Sequence, residues 1–310
     1  MSHDSRIITQ CVTENTFIDY HNFPLCAGAN IIGRILSNNT FKGLNVSDNK
    51  LYVVGEFITE DATWNNALGI PYVVQNNEVE IGGYWKYIYF YDGTIDEKTI
   101  IKHCVVEYAG FNPNYGIYCV NSSPTIRACE IRHNAGLGIC CYVNSSPLIT
   151  NCILIDNLSS GYGGGIYCDS YSSPTIANCT ITQNSADTAG GGMYCNESSP
   201  IITNCIIWDN APDGIHLHES FPAVTYSDIQ GGYSGTGNLD IDPLFVNPGL
   251  KDYHLHTDSP CIDAAGTNAV LDILSYKDKD NRIRPLDGDY NSTYICDMGA
   301  YEVEGPTLNE

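Results

Sequence analysis

The chain has 310 residues, with 36 Asp and Glu against 14 Lys and Arg, and a formal net charge of −22. So few cations leave no basic stripe to neutralise phosphates, which excludes nucleic acid and anionic lipid as natural partners. A hydrophobic share of 43% is enough to bury a core, and no run approaches the ~18 apolar residues of a membrane span.

In chain order, the start Met1–Arg6 lacks the apolar stretch of a signal peptide. Short apolar runs follow at Ile31–Thr40, Leu51–Ile58, Ile88–Phe90 and His103–Val106. From Gly116 a repeat becomes explicit. Gly-Ile-Tyr-Cys or a near copy recurs at Gly116–Cys119, Gly138–Cys141, Gly165–Cys168 and Gly192–Cys195, with a degenerate fifth at Gly214–Leu217. Each copy continues through Ser-Ser-Pro to a second cysteine (Cys129, Cys152, Cys179, Cys205; then Ser227) and, five residues later, an asparagine. Asn134, Asn157, Asn184 and Asn210 are spaced by 23, 27 and 26 residues, a period of about 25. A unit this short with only β-branched runs between turns cannot close its own core, so neighbouring units must stack. Strand alternation turns Ile117, Cys119, Ile126, Cys129 and Ile131 inward and Tyr118, Arg127, Glu130 and Arg132 outward.

These motifs resemble the right-handed parallel β-helix family, the pectate-lyase-like solenoid, over roughly residues 30 to 235. The resemblance implies an all-β chain: a single-stranded right-handed parallel β-helix over 31–237, of about eight coils rising ~4.8 Å each. Residues 1–30 are expected to cap its N-terminal end and 238–310 its C-terminal end. Beyond Asn238 the period stops. Asp242–Pro248, Asp252–Leu255, Ser259–Asp263, Arg284–Pro285 and Asp297–Glu302 then resemble, in order, the C-terminal region of surface β-helix proteins of the choice-of-anchor type. That resemblance implies an extracellular or cell-surface protein whose leader is not part of this sequence, and a monomer is expected.

The inward cysteines read as buried thiols, and Cys261 and Cys296 as a pair that could bridge in the C-terminal cap. The asparagine column reads as a structural amide ladder. Outward, Tyr89, Tyr118, Tyr167, Tyr194 and His216 form an aromatic stripe interrupted by Cys140, either a platform for the apolar faces of sugars or a self-stabilising ladder. A second outward surface carries Ile153, Ile155, Ile206 and Trp208. Its apolar character demands a cover, a loop of this chain ahead of a partner or glycan. Trp208 joins the stripe as a candidate ligand contact.

For chemistry, Arg127, Glu130, Arg132 and His133 could form a lyase-like cluster, although a solvated charge network explains them as well. The family's lyases pair a strong base with Ca²⁺-holding carboxylates, and its hydrolases use convergent carboxylates. Neither signature is present. His216 and His218 alternate outward on one strand as two potential metal ligands, and Asp278 and Asp280 lie in a carboxylate-rich loop that could wrap Ca²⁺. The resulting expectation is non-catalytic polysaccharide binding or adhesion on a cell-surface glycan. The alternatives are a polysaccharide lyase or glycoside hydrolase on the lateral face, and a purely structural surface module.

Overall fold

The computed structural model describes residues 87–91, 99–109, 115–266, 277–286, 288 and 294–303, together with the backbone of six shorter strands upstream. Each coil of the repeat gives one strand to each of three parallel sheets. Sheet 1 holds Ile88–Tyr91, Tyr115–Val120, Leu137–Tyr142, Ile166–Asp169, Met193–Asn196 and Ile215–His218. Sheet 2 runs through Ile100–Lys102, Thr125–Arg127, Leu148–Thr150, Thr175–Ala177, Ile201–Thr203 and Ala223–Thr225, with Thr63–Trp64 at its upstream edge. Sheet 3 has nine strands, from Cys26–Gly28 through Glu130–Arg132, Ile153–Ile155, Thr180–Thr182 and Ile206–Trp208 to Asp228–Ile229. The expected all-β parallel solenoid is therefore the fold. Parallel pairing already begins at Thr16–Ile18 and Cys26–Gly28.

Period-two alternation determines the core. Ile117, Cys119, Ile126, Cys129 and Ile131 are fully buried, and their equivalents in the following coils line one continuous interior. Residues in the left-handed region mark the bends between sheets. Between sheets 2 and 3 these are His103, Ala128, Asn151, Asn178, Asn204 and Tyr226, with φ of 48–55°. Asparagine tolerates this conformation better than most residues, which accounts for its recurrence there.

Three side-chain ladders tie coil to coil. Asn134, Asn157 and Asn184 each donate through Nδ2 to the Oδ1 of the next asparagine, at 2.7, 2.8 and 3.1 Å, and also to a backbone carbonyl of the preceding coil. The first serine of Ser-Ser-Pro accepts the backbone N–H of its counterpart one coil earlier, through Ser145, Ser172, Ser198 and Ser220. The cysteine column does more than fill space. Cys152 Sγ accepts from Cys129 N at 3.4 Å and donates to Thr150 O at 3.2 Å, and Cys179 repeats the pattern. Ser227 takes over in the last coil, accepting from Cys205 N at 3.1 Å and donating to Thr225 O at 3.0 Å. The glycine of Gly-Ile-Tyr-Cys has a steric origin: a Cβ on Gly138 would lie 2.6 Å from the carbonyl oxygen of Gly165 in the next coil.

After Ile229 the chain turns back along the outer face of sheet 3. A hairpin of Phe245–Asn247 and Asp252–Leu255, joined by the 3₁₀ turn Pro248–Leu250, lies there with segments 259–265 and 296–303. Ile153, Ile155 and Ile206, all outward on sheet 3, are thereby 1–3% exposed. The cover expected for this apolar surface is a segment of the same chain. The segment is pinned by Arg284, which is 3% exposed and pairs with Glu302, donates to Asn151 Oδ1 at 3.1 Å and to the Asp297 and Gly299 carbonyls. Cys261 does not bridge to Cys296: its thiol donates to Asp228 Oδ2 at 3.4 Å, sealing the join between solenoid and cover.

Candidate functional site

Sheet 1 carries its outward side chains in two columns. In the first, register aligns Tyr89, Tyr118, Cys140, Tyr167, Tyr194 and His216. The rings lie nearly parallel at coil spacing: Tyr89–Tyr118 at 5.3 Å and 24°, Tyr167–Tyr194 at 5.6 Å and 8°, Tyr194–His216 at 5.5 Å and 5°. Face-to-face stacking consumes the apolar faces that a sugar would use, so the stripe presents ring edges. Further rings close it in. Tyr115 stacks 4.5 Å from Tyr118, Tyr87 meets Tyr89 and Tyr118 edge-on, and Tyr162 leans on Tyr194 at 4.5 Å. Tyr194 is buried as a result. Burial pushes the Tyr115 phenol up to about 12 and also raises Tyr118 and Tyr167, which keeps these hydroxyls protonated.

The second column, two residues further along each strand, is polar and more open. Tyr142 is exposed and stands in register with Asp169, and Asn196 with His218. A continuous chain of hydrogen bonds links the later coils. Tyr167 Oη donates to Asp169 Oδ2 at 2.9 Å, Asn196 Nδ2 donates to Asp169 Oδ1 at 2.7 Å, and His218 Nδ1 lies 2.7 Å from Asn196 Oδ1. The sequence reading did not single out Asp169 or Asn196 as ligand contacts. Their signal was the same alternation that marked the tyrosines, read two residues later.

The four candidate catalytic residues do not converge. Arg127 stands on sheet 2 opposite Lys102, whereas Glu130 and Arg132 stand on sheet 3. Arg132 is held by two carboxylates, Nε to Glu107 at 2.7 Å and Nη1 to Glu130 at 2.6 Å, and the Glu107 side chain is 3% exposed. The guanidinium is thus committed to a half-buried ion-pair network. His133 occupies the left-handed bend after the strand, with φ 50°, stacks on Tyr108 and faces Asp156 at 3.5 Å. Lys251 of the cover also pairs with Asp156.

Trp208 lies in register with Thr182 on sheet 3 and packs against the cover, on a different face from the tyrosine stripe. In the carboxylate-rich loop, Asp278 is 2% exposed and satisfies itself from the backbone: Oδ1 accepts from Asp280 N and Arg282 N, Oδ2 from Glu302 N. Asp280 turns to His254 Nε2 at 2.9 Å. Among the described residues no cluster of three or more His, Cys, Asp or Glu side chains is placed to hold a metal, and no helix is long and apolar enough to cross a membrane.

Comparison with family models agrees with this architecture. A family model described as right-handed beta helix region matches residues 63–229. A search of curated proteins gives no significant match. Among solved structures, the crystal structure of pectate lyase Pel9A aligns at 12% identity and a TM-score of 0.37, over 96% of this chain and 86% of that one. With the family model spanning more than half of its residues, the chain belongs to the right-handed β-helix family.

Proposed function

We propose that this protein binds an extended polysaccharide on the outer face of sheet 1 without cleaving it, as a monomeric protein of the cell surface or extracellular space. The observation that carries this reading is the polar column of Tyr142, Asp169, Asn196 and His218, a row of hydroxyl, carboxylate, amide and imidazole groups repeating at coil spacing beside aromatic ring edges. Sugar hydroxyls need both donors and acceptors, and a flat row supplied by a rigid sheet offers them without an ordering cost. The stacked rings of the neighbouring column stiffen that row rather than receive the ligand. The five C-terminal motifs that resemble a choice-of-anchor region support placement at a cell surface.

A lyase or glycosidase would need its acid, base or cation free to meet substrate. Arg132 is bound to two carboxylates and Glu107 is buried, which supports the non-catalytic reading over that rival. The test is retention of the purified protein by a panel of acidic and neutral polysaccharides, with unsaturated products and reducing ends measured in parallel. Retention without product is expected, with at least a tenfold loss of affinity in the Tyr142→Ala/Asn196→Ala double variant. Unchanged retention in that variant would overturn the assignment to this face, and product formation would overturn the non-catalytic reading.

A further inference from the structure

The strand Ile215–His218 closes sheet 1 at its C-terminal edge and carries two histidines on its outer face. His216 and His218 are two residues apart, so their Cβ atoms are separated by about 7 Å. Two imidazoles can bridge that span with metal–nitrogen bonds of about 2.0–2.1 Å.

The hydrogen bonds of each ring fix where its lone pair lies. His216 Nδ1 is 2.9 Å from Asp213 Oδ2, and a carboxylate can only accept, so Nδ1 carries the proton. The other oxygen of Asp213 accepts the Gly190 N–H. For His218 the same conclusion comes through an amide. Asn196 Nδ2 must donate to the Asp169 carboxylate at 2.7 Å, which leaves Asn196 Oδ1 as the acceptor facing His218 Nδ1 at 2.7 Å. Among the described residues neither Nε2 has a hydrogen-bond partner, and both histidines are exposed. In its neutral form each ring therefore presents the Nε2 lone pair to solvent while an oxygen acceptor orients it from behind, the arrangement that metal-ligating histidines adopt.

A second His-x-His pair in the same molecule shows that this is not a consequence of spacing alone. In His254 and His256 the first ring places Nδ1 on Asp252 Oδ1 at 2.5 Å and Nε2 on Asp280 Oδ2 at 2.9 Å. Both nitrogens of His254 are donors there, so it has no lone pair to give.

We propose that His216 and His218 form an open two-histidine site for a borderline divalent transition metal such as Ni²⁺ or Zn²⁺, with Asp213 and Asn196 as the positioning residues behind them. Water fills the remaining positions. Imidazole nitrogens select Ni²⁺, Cu²⁺ and Zn²⁺ over the oxygen-seeking Ca²⁺ and Mg²⁺. The site shares Asn196 and His218 with the proposed glycan row, but its test stands apart, because metal uptake is measured with no polysaccharide present.

The experiment is isothermal titration of the full chain with Ni²⁺ at neutral pH, in the presence and absence of millimolar Ca²⁺. Saturable uptake untouched by Ca²⁺ is expected, falling at least tenfold in His216→Ala and in His218→Ala and about tenfold in Asp213→Asn. His254→Ala/His256→Ala should bind as the parent does, and unchanged thermal melts of the exposed-site variants confirm that the fold is intact. The proposal is overturned if the parent takes up no Ni²⁺, if the His216→Ala/His218→Ala double variant binds as well as the parent, or if uptake is lost only when the 254/256 pair is removed.

Discussion

Asn157 makes four hydrogen bonds with its side chain: Nδ2 donates to Ile131 O at 2.9 Å and Asn184 Oδ1 at 2.8 Å, and Oδ1 accepts from the backbone and side-chain nitrogens of Asn134. It is fully buried, so Asn157→Ala removes four hydrogen bonds shielded from water. A loss of about 2–4 kcal/mol is expected, read from the midpoint of urea denaturation, whereas Asn196→Ala on the surface should stay within about 0.5 kcal/mol. At this scale the interior was legible because one rule, alternation, decides which side chains point in. The orientation of outward rings was not. Whether Tyr167 offers a face or an edge depends on Tyr194 and His216, residues one and two coils away that meet it only after stacking.

Sheets 2 and 3 differ in what lies on their outer faces. Ile206 on sheet 3 is 1% exposed and packs with Leu255, Cys261 and Met298, while Ile201 on sheet 2, five residues earlier, is 50% exposed. Ile206→Ala should cost about 2–4 kcal/mol and Ile201→Ala no more than about 0.5 kcal/mol, both measured by chemical denaturation. Equal costs would contradict the placement of the cover. The need for a cover was written in outward isoleucines at 153, 155 and 206. Its route was not, because the contacts that fix it join residues as far apart as Asn151 and Arg284, with no repeat to carry the register. The same lack of a repeat hid the arrangement of the carboxylate-rich loop, since only the folded position of Asp278 reveals that its oxygens accept backbone N–H groups.

For the molecule as a whole, the groups buried between solenoid and cover set the pH dependence. Burial pushes Asp228 from 3.8 up to about 6 and, with the Glu302 charge beside it, Asp297 up to about 7. His254 is raised above 6.5 by Asp280 and Asp252. A pKa higher in the folded state contributes stability that is complete below the unfolded value and lost as pH rises through the folded one. Asp252 and Asp280, lowered by His254, act the other way and lose their contribution on acidification below 3.8. Stability should therefore be greatest near pH 4 and decline from there toward pH 8. The Asp228 part of that decline is on the order of 1–3 kcal/mol after allowance for solvent screening. Thermal melts across this range should show it, and Asp228→Asn should flatten the fall between about pH 4 and 6.

The amide ladder of Asn134, Asn157, Asn184 and Asn210 runs in one direction, each of the first three donating forward to the next and each of the last three accepting from the one behind. Such a file has no privileged centre. A whole coil can be gained or removed and the hands still meet, whereas half a coil breaks the file, so the rod's length is quantised while its cross-section stays constant.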